Sequence, residues 1–473
     1  MRIRVKPRTS ALRILCIDGG GANAGVPLAA LKALDERLGL PFPIQYHFDI
    51  LYGTSSGAIS AWGLALGLSV QDCIVLVDTM AKHTFQGRDV SAFPLGRTSV
   101  GQRLLRGVIT LLTDSKYSSA NLETALKAVF GEARMLSDWT IANEMGLHVG
   151  FPVVTAEDTA TLVVANDGGT GDPEDAVAQI ARDHRGTLVI DDVAYQDGGM
   201  TYNNPSALAL AAARSQCPEK PNPGLFLSFG TGVGRMTERS SRSVTDLSGT
   251  VGGRVQKRKK RSWLRVVHRS SVGRVCGAFM RQNDSNREFE RVCQHIRGGH
   301  CFRFDPEHDG PQPNLDDIAD LQGRQRRAEA AASSAPEIRA AASCILAQRF
   351  YFELDSIPHY SNGMYHCSGG LHCDFEPGSP EQTALLHRFD QAAASFQLGS
   401  QIFPGPFLRR ATRQSDSTLV RRVIFSVRTK QTEFSIEIQE RPDESVGISG
   451  SPFTIDRLVQ LQGLDDWFGG GYE

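Results

Sequence analysis

Apolar and polar positions recur with recognisable periods through the first half of the chain. Arg13 to Ile17 reads as a short buried strand, and Pro27 to Leu38 carries leucines at 28, 31, 34 and 38, a period near 3.6 that predicts a helix with one buried face. Between them, Gly19 to Gly25 is a loop, so a glycine-rich loop opens a helix. A second apolar run, from Phe48, enters Gly53-Thr54-Ser55-Ser56-Gly57, and the small-residue pattern of Ala58 to Leu66 predicts a helix directly after it. Tyr195 to Pro205 reads as a turn carrying Asp197, followed by an alanine-rich helix from Ser206, and Leu225 to Phe229 predicts another strand. Asn121 to Phe130 reads as an amphipathic helix with an asparagine cap and Gly131 at its end. Arg324 to Arg349 is alanine-rich and helical. Beyond it, Tyr351 to Asp355, Val423 to Val427 and Phe434 to Ile438 read as strands, and Glu440 to Asp443 as a turn. The pattern predicts an α/β domain over residues 1–349 and a smaller antiparallel β-rich domain over 350–473.

Three short segments carry candidate chemistry. A strand running through G-x-S-x-G into a helix is the context of a nucleophile elbow, with Ser55 at its tip and Gly53 and Gly57 giving the turn room. The Gly19, Gly20 and Gly21 amides open a helix, where backbone N–H groups and the helix dipole can hold developing negative charge as an oxyanion hole. The same loop satisfies G-x-G-x-x-A through Gly19, Gly21 and Ala24, a dinucleotide reading. Against that reading, Asp18 directly before the first glycine would repel phosphate, and Ser55 has no role in such a fold. Asp197-Gly198-Gly199 is either an Asp-Gly turn with solvated asparagines after it or the site of a general base.

Taken in order, Asp18-Gly-Gly-Gly21, Gly53-Thr-Ser-Ser-Gly57, Asp197-Gly-Gly199 with Asn203-Asn-Pro205, and Leu225 to Gly232 resemble the motifs of the patatin-like phospholipase family. Phe302 to Pro306 and Asn314 to Asp317 look like the strand and Leu-Asp-Asp stretch of its plant and fungal-type members. The resemblance implies a three-layer α/β/α domain with a C-terminal β-rich extension. It also implies a Ser55–Asp197 dyad, an oxyanion hole from Gly19, Gly20 and Gly21, a lipid or phospholipid substrate, and no metal or other cofactor. The chain departs from the family pattern at Asn23-Ala24, where a basic residue and a glycine are usual, and over residues 178–189 before the aspartate. Those departures keep a second class in view, a catalytically weak or inactive lipid-binding protein. A Ser–His–Asp triad drawing on one of the later histidines is a further alternative, although His184 reads as an exposed loop residue.

Composition changes this picture little. The chain has 473 residues, 41% of them hydrophobic, and a formal charge of −1, so nothing in the bulk balance calls for nucleic acid. No run approaches a membrane span, the basic stretch before Arg13 lacks a signal-peptide core, and nine cysteines form no regular framework. The expectation is a cytoplasmic protein with reduced thiols. Lys257-Arg-Lys-Lys-Arg261 beside Trp263 admits three readings: a peripheral contact with an anionic bilayer, a nuclear localisation signal, or a solvated basic turn. His366-Cys-Ser-Gly-Gly-Leu-His-Cys373 has zinc-like residue types, but its pairs flank Ser-Gly-Gly as in a hairpin and no second ligand cluster follows.

Overall fold

The computed structural model describes residues 6–84, 140–155, 161–166, 188–190, 193–197, 202–235, 285–310, 312–408, 418–441 and 444–465. The Asn121–Phe130 helix, Gly198, Gly199, His184, most of segment 178–189 and the basic run from Lys257 to Trp263 lie outside them.

Strand β1 (Arg13–Ile17) sits centrally in the large sheet, flanked in parallel by β2 (Ile50–Gly53) and β7 (Leu225–Phe229). The sheet continues in parallel to β3 (His148–Thr155) on one side and to β9 (His300–Phe304) on the other. Beyond β3 the direction changes. β4 (Thr161–Ala165) and β6 (Val193–Asp197) both run antiparallel to it, and β5 (Leu188–Ile190) pairs with β6. Two further short strands, β8 (Val233–Arg235) and β10 (Glu307–Asp309), pair with each other.

The period of two along these strands divides the core into two layers. Leu15, Ile17, Leu51, Leu227 and Phe229 face α1 (Gly25–Leu38) and α3 (Val70–Thr84) on one side of the sheet. Ile14, Cys16, Ile50, Tyr52 and Phe226 face the Ser206–Gln216 and Ser285–Cys293 helices on the other. Strands apolar on both faces belong to a sheet covered on both sides, which is the predicted α/β/α arrangement.

The helical stretch read as 324–349 is two helices, Leu321–Ser334 and Pro336–Ala347, with Ala335 extended between them. Pro336 starts the second helix and pushes the residue before it out of the helical region. The C-terminal segment then forms two antiparallel sheets. One holds β11 (Phe350–Leu354), β12 (His359–Ser361), β13 (Met364–Cys373) and β16 (Leu419–Val427). The other holds β14 (Ser395–Leu398), β15 (Gln401–Pro404), β17 (Ile436–Arg441) and β18 (Glu444–Gly447). Their inner residues join the same hydrophobic core as α1 and α3.

Buried charge ties this segment to β1. Arg13, 1% exposed, donates to Asp49 at 3.0 Å and to Asp374 at 2.8 Å, and Arg349 reaches Asp374 at 3.0 Å. Burial disfavours the Asp49 carboxylate, but Arg13 and Lys6 outweigh it and hold its pKa far below the ordinary range.

His366 to Cys373 is not a hairpin. It is one continuous strand, β13, and the hairpin turn lies earlier, at Asn362-Gly363, where φ is 50° and 77°. That Asn-Gly pair supplies the two left-handed residues a tight turn needs, a stronger signal than Ser368-Gly-Gly370. Along β13, Cys367, Leu371 and Cys373 point into the core while the histidines alternate to the other face. Among the described residues no group of three or more His, Cys, Asp or Glu side chains is placed to hold a metal, and no helix is long and apolar enough to cross a membrane.

Candidate active site

Strand β2 ends at Gly53 and α2 (Ser56–Ala65) begins three residues later, so the chain reverses within Thr54 and Ser55. Ser55 has φ 53° and ψ −121°. A non-glycine residue in that region costs on the order of 1–3 kcal/mol and persists where the surroundings impose it. Those surroundings are tight: a Cβ on Gly53 would sit 2.2 Å from the Gly57 carbonyl oxygen, and one on Gly57 2.5 Å from that of Ile17. The Thr54 N–H donates to Ile17 O at 3.1 Å and its hydroxyl to Tyr202 O at 3.0 Å. Ser55 is thus held at the tip of a turn pinned to β1 and to the segment after Asp197.

The glycine loop lies against this turn. A Cβ on Gly19 would come within 3.2 Å of the Ser55 Cβ. Its three amides are not equivalent. Gly19 N–H is spent on Asn203 O at 3.0 Å, and Gly20 N–H donates to Ser56 Oγ at 3.1 Å. Gly21, at φ 54°, opens the 3-10 turn Gly21–Ala24, and the first N–H of a helical turn has no acceptor within it.

Beneath the loop is a buried ion pair that the sequence did not reveal. Asp18 meets Arg303 of β9 at 2.8 Å, and the same guanidinium reaches Asp305 at 2.9 Å, Ser228 Oγ at 2.6 Å and Asn286. Asp305 in turn accepts from Gly232 N–H at 2.8 Å. Burial opposes the Arg303 charge, but the two carboxylates outweigh it and raise its pKa. Asp18 must share that one cation, and its own burial pushes its carboxyl up to about 6 despite Arg303. The carboxylate that speaks against a phosphate loop is therefore a brace under the glycine triplet. The alternation Phe302-Arg303-Phe304-Asp305 was the available signal: charges at every second position of an otherwise apolar strand.

The Asn-Asn pair is built in rather than solvated. Asn204, 2% exposed, donates to Ser228 Oγ and Ser285 O, both at 3.2 Å, and accepts from Ser206 N–H at 2.8 Å. Asn203 gives its carbonyl to Gly19 and its amide to Ser285 Oγ at 3.2 Å.

Asp197 ends strand β6 rather than sitting on a turn, and strand register locates its backbone. β3 pairs with β2 as far as Tyr52↔Gly150 and with β6 from Val153↔Asp197 onward. β4 faces β3 across both stretches, from Gly150↔Ala165 to Val154↔Thr161. A strand has two edges, so β2 and β6 share the edge opposite β4. They run toward each other, and the end of β6 meets the end of β2 on the same edge of β3. Phe151 and Pro152 span the gap between the two pairings. At about 3.3 Å per residue, Asp197 lies about 7 Å beyond the level of Gly53, where Ser55 turns. The chain then returns to the elbow through Tyr202 and Asn203.

Residues 15–185 match the model of the patatin-like phospholipase family, a stretch that contains Ser55 and the glycine triplet and ends before Asp197. The cUMP-AMP-activated phospholipase of Escherichia coli is 26% identical over 223 residues, 47% of this chain and 65% of that protein. Calcium-independent phospholipase A2-gamma of Oryctolagus cuniculus is 26% identical over 255 residues, 50% of this chain and 30% of that protein. Patatin-like protein 1 of Arabidopsis thaliana is 25% identical over 274 residues, 49% of this chain and 61% of that protein. The chain thus spans less than two thirds of the length of each of these relatives. Among solved structures, that of VipD from Legionella pneumophila is similar at TM-score 0.34 and 14% identity, over 70% of this chain and 67% of that one. Over residues 15–185, with their serine elbow and glycine loop, the chain is thus similar to the patatin-like phospholipase family.

Proposed function

We propose that this protein is a serine acyl hydrolase of lipid esters working through a Ser55–Asp197 dyad. The observation that carries the reading is the convergence of a strained serine turn with the end of the Asp197 strand on one edge of β3. The phospholipase names of its relatives favour a lipid or phospholipid substrate.

In this reading Ser55 Oγ attacks the ester carbonyl carbon while Asp197 takes the hydroxyl proton. The negative charge that develops on the carbonyl oxygen falls to the Gly21 amide and to the Gly20 amide, which shares its N–H between Ser56 Oγ and the oxyanion, with Gly19 contributing space rather than a donor because its N–H is held by the Asn203 carbonyl. As the tetrahedral species collapses, Asp197 returns the proton to the departing alcohol. A water molecule, deprotonated by the same carboxylate, then attacks the acyl-enzyme and releases the fatty acid.

A fluorophosphonate probe tests this directly, since it labels only an activated serine. Labelling is expected in the wild type and lost in Ser55→Ala. Asp197→Asn should slow p-nitrophenyl ester hydrolysis about a thousandfold, because an amide cannot accept the proton. A histidine-to-alanine scan that found one histidine equally essential for acylation would replace the dyad with a triad.

The weak or inactive lipid-binding reading draws on Asn23, which is 2% exposed with both side-chain amide atoms unpartnered among the described residues, where the family carries a basic residue. Liposome binding without probe labelling would select it. The basic run Lys257 to Arg261 with Trp263 is proposed as a peripheral membrane contact. Replacing its five basic residues with Gln should weaken binding to anionic liposomes while leaving hydrolysis of a soluble ester unchanged.

A further inference from the structure

The C-terminal end of α1, far from the glycine loop, enters a cavity of about 330 Å³. The Leu321–Ser334, Pro336–Ala347 and Pro380–Gln391 helices and β17 complete its walls. Its charged lining is four arginines, Arg37, Arg339, Arg388 and Arg441, against two carboxylates, Glu36 and Glu440, with no lysine.

The local contacts use up only part of this charge. Arg388 is committed: it donates to Glu440 at 3.0 Å and caps the end of α1 through the Leu38 carbonyl. Glu36 shares Lys32, at 3.5 Å, with the nearer Glu329 at 2.8 Å, so part of its charge stays on the cavity and offsets one of the arginines. Arg37 gives one donor to Ser333 O at 2.8 Å. Among the described residues Arg441, with half its side chain exposed, pairs with the more distant Glu444, at 3.5 Å. Arg339 is exposed and makes no ion pair among the described residues. A guanidinium has five donors in a planar fork, so Arg37, Arg339 and Arg441 keep most of theirs free around one hollow.

Crowded like charges repel, and an anion between them relieves that repulsion. Arginine forks match phosphate oxygens two at a time, which a lysine point charge does not. The volume lies at the small end of ligand sites, right for a phosphate ester and too small for a lipid. We propose that this cavity binds a small phosphate-bearing anion through Arg37, Arg339 and Arg441. Such a ligand would bridge α1, the helix that leads from the oxyanion loop, to the C-terminal sheets. The proposal does not depend on the acyl-transfer reading.

Calorimetric titration of the full chain with pyrophosphate at constant ionic strength tests it, with sodium sulfate as the control anion. The expected result is saturable 1:1 binding with sulfate much weaker. In the Arg339→Ala/Arg441→Ala double variant, Kd should rise at least about tenfold, or 1.4 kcal/mol. The unliganded melt should stay at the wild-type temperature, because both side chains are exposed. The Arg339→Lys/Arg441→Lys variant keeps the charge but loses the forks and should also bind weakly, whereas the Ser55→Ala chain should bind as the wild type does. No saturable binding, or an alanine variant that binds unchanged, overturns the site. A lysine variant equal to the wild type overturns forked recognition, and loss of binding in Ser55→Ala overturns the location.

Discussion

Two segments of this chain are built from the same small residues, and they do opposite things. Gly53-Thr-Ser-Ser-Gly57 stands where a parallel strand stops, and its glycines are required because three backbone segments converge there. Ser368-Gly-Gly370 lies in the middle of β13, paired on both sides by β11 and β16, and its serine bonds Asp355 at 2.6 Å on an exposed face. Residue type does not separate them. What separates them is whether the strand ends: an ended strand leaves free backbone donors and a strained side chain, whereas a continued one spends both on its neighbours.

The widest gap should open between the two serines. Ser55→Ala is expected to abolish p-nitrophenyl ester hydrolysis, at least about a thousandfold, with an unchanged melting temperature. Ser368→Ala should keep wild-type activity and shift stability by less than about 0.5 kcal/mol. Equal activity in the two variants would dissolve the contrast.

The buried acids come next. Asp18 and Asp374 are both nearly inaccessible and each is bound by arginine at 2.8 Å. Removing one partner of such a pair costs about 3–5 kcal/mol, so urea unfolding should report a loss of that order for Asp18→Asn and Asp374→Asn alike. Only Asp18→Asn should also lower kcat/KM in the folded fraction, since only Asp18 braces the glycine loop. Undiminished kcat/KM there would reduce the Arg303 cluster to packing.

A smaller effect distinguishes the β13 face by pH. Burial lowers the His372 imidazole from 6.5 to about 4, while its Nδ1 sits 2.9 Å from Thr418 Oγ1 and its ring stacks on Tyr351. Between those pH values the unfolded chain takes up a proton that the folded chain refuses. This contribution to stability is therefore present above pH 6.5 and lost as pH falls through about 4. Relative to His372→Gln, the wild type should lose about 3 kcal/mol across that window. Parallel stability curves for the two proteins would refute it.

The smallest change expected is in Ser56→Ala. Losing the hydroxyl that positions the Gly20 amide should cut kcat about tenfold at constant KM, with Ser56→Thr restoring it. A rise in kcat would mean that the hydroxyl competes with substrate for the donor.

Much of the fold was legible because it is written in local periods. Strand β1 and the elbow fall where the apolar runs predict, and the C-terminal strands lie within a few residues of expectation. The misreadings share one cause, the weighing of a weak local signal over a stronger one nearby. Ser368-Gly-Gly370 looks like a turn although Asn362-Gly363 is the stronger signal, and the alanine-rich run looks continuous although Pro336 divides it. What could not be read were partners distant in sequence. Nothing near Asp18 announces Arg303, and nothing near Gly19 announces that the Asn203 carbonyl occupies its N–H.

Strand β3 also works as a ruler. Because it carries β2 and β6 in tandem on one edge, the distance between the Ser55 turn and the end of the Asp197 strand is counted in β3 residues and set by the Phe151-Pro152 spacer. Pro152 has no N–H to offer a neighbour there. Lengthening the spacer by one residue would move the Asp197 strand by about 3.3 Å and turn it to the other face. The spacer can therefore change only two residues at a time without reversing that face, so the approach of the Ser55 turn to the Asp197 strand is set in discrete steps by a strand that carries neither residue.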